Sequence, residues 1–201
     1  MTRRFVRAAL AVVLAASAAL PAAAQFSERY EFFKAVKEQD AATAIDMLAQ
    51  PGQTIVNARD TEGGQTALHI VTEAREPAWI NLLQKNGADM NVADDEGNTP
   101  LIIAAGSRFI DGARLLLHYG ADVNMANRRG ETPLIRAVQR RDFDMVELLL
   151  NQGADPDHRD SFAGYSARDY AERDRRARRI LDLIENADTP RADTEISGPG
   201  L

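Results

Sequence analysis

Three histidines, His69, His118 and His158, are the natural first candidates for chemistry, and their spacing joins none of them into a metal-binding set. The chain has no cysteine, so it lacks a thiolate nucleophile and cannot form a disulfide. It also lacks a nucleophile elbow and a glycine-rich phosphate loop following a strand. No catalytic, cofactor-binding or metal-binding residue is therefore expected. What remains is ionic recognition. Asp94, Asp95 and Glu96 make a compact acidic group, and Arg128, Arg129, Arg136, Arg140 and Arg141 make a basic one further along. Guanidinium groups grip carboxylates through paired, charge-assisted hydrogen bonds, and opposed charge groups orient an incoming partner.

The elements that must carry these charges show themselves as a period. Gly87-Ala88-Asp89, Gly120-Ala121-Asp122 and Gly153-Ala154-Asp155 recur every 33 residues. The same interval links Gly97-Asn98-Thr99-Pro100-Leu101 with Gly130-Glu131-Thr132-Pro133-Leu134, and the paired or triple leucines beginning at Leu82, Leu115 and Leu148 follow the same rhythm. Such a period marks supersecondary units that bury their apolar faces only by stacking on neighbours. Thr99 and Thr132 are placed to cap helices that Pro100 and Pro133 begin, with Thr66 and Ser166 in the matching positions. Glycine at 87, 120 and 153 closes the second helix of each unit. Leu68, Leu101 and Leu134 are expected to stack along the array, and Ala104, Ala105 and Ala137 to let helix layers approach closely. Trp79 is expected to pack in the second-helix layer.

These motifs resemble the ankyrin repeat, whose pattern runs D-x-x-G-x-T-P-L-H-x-A-A, then a helix ending in leucines, then G-A-D-V-N. The resemblance implies an all-α solenoid of helix pairs joined by β-hairpin-like loops. It divides residues 27–187 into an N-terminal cap over 27–59, repeats over 60–93, 94–126 and 127–159, and a C-terminal cap over 160–187. Within the N-terminal cap, Phe32 to Gln50 reads as a helix pair. His69 occupies the motif's histidine position, where a hydrogen bond at the hairpin junction is its expected role. Two hairpins, near Gly63 and within Ser161 to Ala163, are one residue longer than the period predicts.

Family members hold other proteins on a concave surface of hairpin tips and first helices, and they are rarely enzymes. Carried over by position, that surface comprises Asp94, Asp95, Glu96, Asn98, Ser107, Arg128, Arg129, Glu131, Arg136, Gln139 and Arg140. The implied function is non-catalytic binding of an envelope protein by a monomer. A protective or inhibitory subunit for a periplasmic enzyme or secreted toxin is the second expectation. One departure from the family pattern is regular. Arg75, Arg108 and Arg141 stand where glycine is favoured after the first helix, which poses capping of the last helical carbonyls against a basic ladder for a partner.

The ends of the chain differ from its middle. Arg3, Arg4 and Arg7 precede the uncharged stretch from Ala8 to Leu20, and Ala22 and Ala24 form a small-residue cleavage signature. This is the layout of a signal peptide over residues 1–24, cut after Ala24, with an apolar run too short to remain as a membrane span. A periplasmic or secreted bacterial protein is the expectation, with no stable membrane insertion after cleavage. The preference for arginine over lysine, 21 to three, agrees with a GC-rich genome. Losing that leader moves the formal net charge from −6 to −9, which disfavours nucleic acid as a partner. Residues 188–201 hold two prolines and few apolar residues and are expected to form a disordered tail.

Overall fold

The structure, a computed structural model, describes residues 22–50 and 55–187. Most of the expected leader over 1–24 and all of the expected tail over 188–201 lie outside the described residues. Helices form five consecutive pairs. These are α1 (Ala22–Lys37) with α2 (Ala41–Leu48), α3 (Ala67–Glu73) with α4 (Pro77–Lys85), and α5 (Pro100–Ser107) with α6 (Ile110–His118). They continue as α7 (Pro133–Gln139) with α8 (Phe143–Asn151), and α9 (Ala167–Arg173) with α10 (Arg178–Ala187). Short 3-10 turns occupy Ile55–Asn57 and Arg175–Ala177. The first helices α1, α3, α5, α7 and α9 pack in sequence as an inner layer, while α4, α6, α8 and α10 form an outer one. This is an all-α repeat solenoid. No helix among the described residues is long and apolar enough to cross a membrane.

The first helix starts ten residues before Phe32, where the apolar pattern begins. Residues 28–31 are charged or exposed and contribute no core face, but they contain no helix breaker, so the helix extends beyond its buried part. The core is a stack of equivalent positions. Leu68, Leu101 and Leu134 are buried in the inner layer, as are Leu83, Leu116 and Leu149 in the outer one. Ala104, Ala105 and Ala137 are fully buried where the layers meet, and Trp79 of α4 is buried in the same continuous core. Each such residue contributes burial only because its neighbouring repeat covers it.

Helix starts follow the side chains. The hydroxyl oxygens of Thr99 and Thr132 accept from the amides of Ile102 (3.4 Å) and Ile135 (3.3 Å), with proline at the first helical position in both. Ser166 and Asp169 make a reciprocal capping box. In repeat 1 the partner is His69. Its Nδ1 accepts the Thr66 N–H at 3.1 Å, and its Nε2 lies 3.0 Å from the Asn98 carbonyl of the next tip. The first contact makes Nδ1 the acceptor, so Nε2 carries the proton and donates to Asn98. Burial lowers the affinity of this imidazole for a second proton.

The hairpin tips are built on one column of side chains. Asp60, Asp94, Asn127 and Asp160 each accept backbone amides of their own tip through Oδ1, three of them in the case of Asp160, from Phe162, Ala163 and Gly164. Burial works against the charged form of Asp60 and Asp160. The donors outweigh it and leave both carboxyls below the usual range. Successive tips are then tied by main-chain bonds from Asp95 to Gly63 (2.9 Å), Arg128 to Glu96 (3.1 Å) and Ser161 to Arg129 (2.8 Å). Gly97 shows why the tips need glycine. Its φ is +83°, and a Cβ there would lie 2.7 Å from the Arg128 amide nitrogen that has to reach Glu96. The longer tips are the first and last, where closure joins Asp60 to Gln65 and Asp160 to Tyr165 instead of spanning four residues.

Candidate protein-binding face

Tips and inner helices together leave a groove of roughly 340 Å³ centred on α5. Ile103, Gly106 and Ser107 come from α5 itself. Glu73 enters from α3 on one flank, and Arg136 and Arg140 enter from α7 on the other. The tips supply Glu96, Asn98 and Arg129. Six of the residues expected on a partner-binding face are thus gathered in one place: Glu96, Asn98, Ser107, Arg129, Arg136 and Arg140.

The other five lie elsewhere. Asp94 is only 8% exposed and its carboxylate is committed to the amides of Glu96 and Asn98, so it builds the tip and does not face a partner. Glu131 is equally buried. It accepts from Asn127 and pairs with Arg129 (2.8 Å) and Arg136 (3.7 Å). These two assignments are corrected by the same physical fact: loop amides and guanidinium groups need acceptors, and the nearest acids supply them. Asp95 is exposed but paired with Arg59 at 2.9 Å. Arg128 and Gln139 are exposed and stand outside the groove. The acidic group is therefore largely spent within the tips, and Arg129, Arg136 and Arg141 are paired too, which leaves Arg128 and Arg140 as the side chains of the basic group without an ion pair among the described residues.

Arg136 is held in a specific way. The residues 33 and 66 positions earlier are Ile103 and Ile70, so an arginine replaces an apolar inner-helix side chain in repeat 3. Its guanidinium lies over Gly106, where a Cβ would come within 3.3 Å of Nη2. Nη1 is 3.7 Å from Glu131, within ion-pair range but too far for a hydrogen bond, and Nε is buried with no partner among the described residues. The side chain of Arg140 makes no ion pair or hydrogen bond among the described residues.

The regular arginine column takes the left-handed backbone its position demands, with φ of 62° at Arg75, 57° at Arg108 and 53° at Arg141. Gln39 adopts it too, at 59°, extending the column into the N-terminal cap. The side chains do not fold back on their own helices. Arg75 donates to the Arg108 carbonyl, Arg108 to the Arg140 carbonyl, Arg141 to Asp174 and Gln39 to Glu76. Arg75 and Arg108 thus cap the end of the next repeat's first helix, whereas Arg141 and Gln39 bond side-chain carboxylates one repeat further on. Their own helix ends are closed by backbone amides, as in Glu76 to Val71 (2.9 Å) and Phe109 to Ala104 (2.9 Å).

A second inter-repeat fastening carries no charge. Asn57, Asn91 and Asn124 each donate to the carbonyl of the next repeat's closing glycine and accept the amide two residues after it. The period displayed these asparagines, yet reading each repeat singly assigned them no role, because the partner lies in the following unit.

A family model described as ankyrin repeats in three copies matches residues 32–127 and 80–160. The chain is an ankyrin-repeat protein. Ankyrin repeats generally serve as protein-interaction modules. Among the described residues, no group of histidines and acids is placed to hold a metal ion.

Proposed function

We propose that this ankyrin-repeat protein is an exported, non-catalytic monomer that holds an envelope protein against its tips and inner helices. The observation that carries the reading is the groove over α5. There, side chains from three repeats converge, and among the described residues Arg136 Nε and the Arg140 side chain have no hydrogen-bond partner. A formal net charge of −6 favours a protein over a nucleic acid as the occupant. Export is supported by Arg3, Arg4 and Arg7 ahead of an uncharged stretch and by the Ala22 and Ala24 cleavage signature.

Crosslinked capture from envelope extract tests the reading, using the full chain beside a variant with Arg128→Glu, Arg129→Glu and Arg140→Glu. One protein captured by the native chain and lost by a variant that still unfolds cooperatively is the expected result. Equal capture by both chains, or none by either, would overturn it. N-terminal sequencing of the cell-purified protein tests export, with Gln25 expected as the first residue.

A further inference from the structure

The Arg136 side chain is placed like a binding group and not like a structural one. A structural arginine spends its donors on acceptors within the fold, whereas among the described residues Arg136 has a single long ion pair and a buried Nε with no acceptor. The Arg136 side chain is nevertheless 28% exposed where it borders the groove, so part of its guanidinium is open to an incoming acceptor. Gly106 leaves room for the guanidinium to lie across α5, and Arg140 follows one helical turn after Arg136, on the same helix face.

Resting on the protein-binding reading above, we propose that Arg136 and Arg140 clamp a single carboxylate, an aspartate or glutamate side chain of the partner, which enters over Gly106. Guanidinium groups match carboxylates in plane and spacing, and two together neutralise one charge with donors to spare. The surrounding acids set the size of that charge. Glu131 already pairs with Arg129 and Arg136, and Glu73 and Glu96 border the same groove. Arg129, Arg136 and Arg140 are balanced in number by Glu73, Glu96 and Glu131, which leaves no excess positive charge for a doubly charged phosphate. Glu73 and Glu96 lie toward the N-terminal side and suit a donor on the partner preceding or following its acid.

The test uses the full chain, the backbone amide NMR signals of Gly106 and Ser107, and three blocked pentapeptides differing only at a central glutamate, glutamine or phosphoserine. Saturable shifts with the glutamate peptide and none with the glutamine peptide are expected. Gly106→Val, which drives the guanidinium aside while leaving a helical backbone that valine tolerates, should abolish the shifts without lowering the unfolding midpoint. Arg136→Gln should do the same. Equal shifts with glutamine, persistence of the shifts in both variants, tighter binding of phosphoserine or no shift with any peptide would each overturn the clamp. If the clamp fails while native-chain capture from envelope extract persists, the protein-binding reading stands alone. If the glutamate peptide binds and nothing is captured, it is that reading which fails.

Discussion

The guanidinium of Arg75 donates to the main-chain carbonyl of Arg108 at 3.3 Å, linking two members of one column that lie 33 residues apart. Each arginine of the column sits in left-handed backbone, at a cost on the order of 1 kcal/mol, and reaches forward to the next repeat. Exposed contacts of this kind are worth about 0.5 kcal/mol each. Alanine keeps the backbone cost and removes the contacts, whereas glycine removes both. Urea unfolding should therefore show the triple alanine variant at 75, 108 and 141 to be about 1–2 kcal/mol less stable than the native chain. The triple glycine variant should match or exceed the native chain. A triple alanine variant of native stability would show that the ladder does not hold repeats together.

His69 supplies a pH dependence. Burial holds its folded protonation point below the ordinary 6.5, so the unfolded chain binds the proton more readily. Stability from this group is fully present above about pH 6.5 and declines as pH falls from there through the lower folded value. His69→Gln should flatten that decline in a urea series between pH 7 and 5. An unchanged slope would mean that another group governs it.

Tyr170 points the other way along the pH scale. Burial and its 2.6 Å hydrogen bond to Asp160 raise the phenol to about 12. Its stabilising contribution is present below pH 10 and is lost as pH rises through 12. In an ultraviolet titration of phenolate absorbance, Tyr170→Phe should remove a step near pH 12. The same variant should cost about 1–2 kcal/mol, since Asp160 loses a donor while keeping its tip amides. Loss of a step near pH 10 would contradict the assignment.

Gly112 sets two effects against each other. Alanine in the middle of α6 should gain up to about 1 kcal/mol in helix propensity. Its Cβ, however, would lie 2.1 Å from the Phe109 ring, which is 5% exposed and cannot swing freely into solvent. Overpacking should win, and Gly112→Ala should lower stability by about 1–3 kcal/mol in thermal or urea unfolding. Increased stability would show that the ring relocates cheaply.

What could be read from the chain beforehand was whatever repeats. The 33-residue spacing of the Gly-Ala-Asp and Thr-Pro-Leu motifs fixes the helix pairs, their caps and the stacked leucines, because each is a local consequence of residue type. Charge was harder. Asp94 and Asp95 look alike in sequence, but one is buried under tip amides and the other pairs with Arg59 across repeats. The direction in which Arg75 reaches, and the bidentate grip of Asn57, Asn91 and Asn124 on the next repeat, depend on the rise between units, which no single unit contains. Arg136 was legible as a member of the basic group on the expected face, but its placement over Gly106 required the packed helices.

Site-specific photocrosslinking measures the central claim most directly. A photoreactive residue at Ser107, on the tip and inner-helix face, is compared with one at the exposed Glu147 of α8 in the outer layer. In cells, a discrete crosslinked protein from position 107 and none from 147 is the result predicted here. The same adduct from 147, with none from 107, would place the partner on the opposite face and contradict the account.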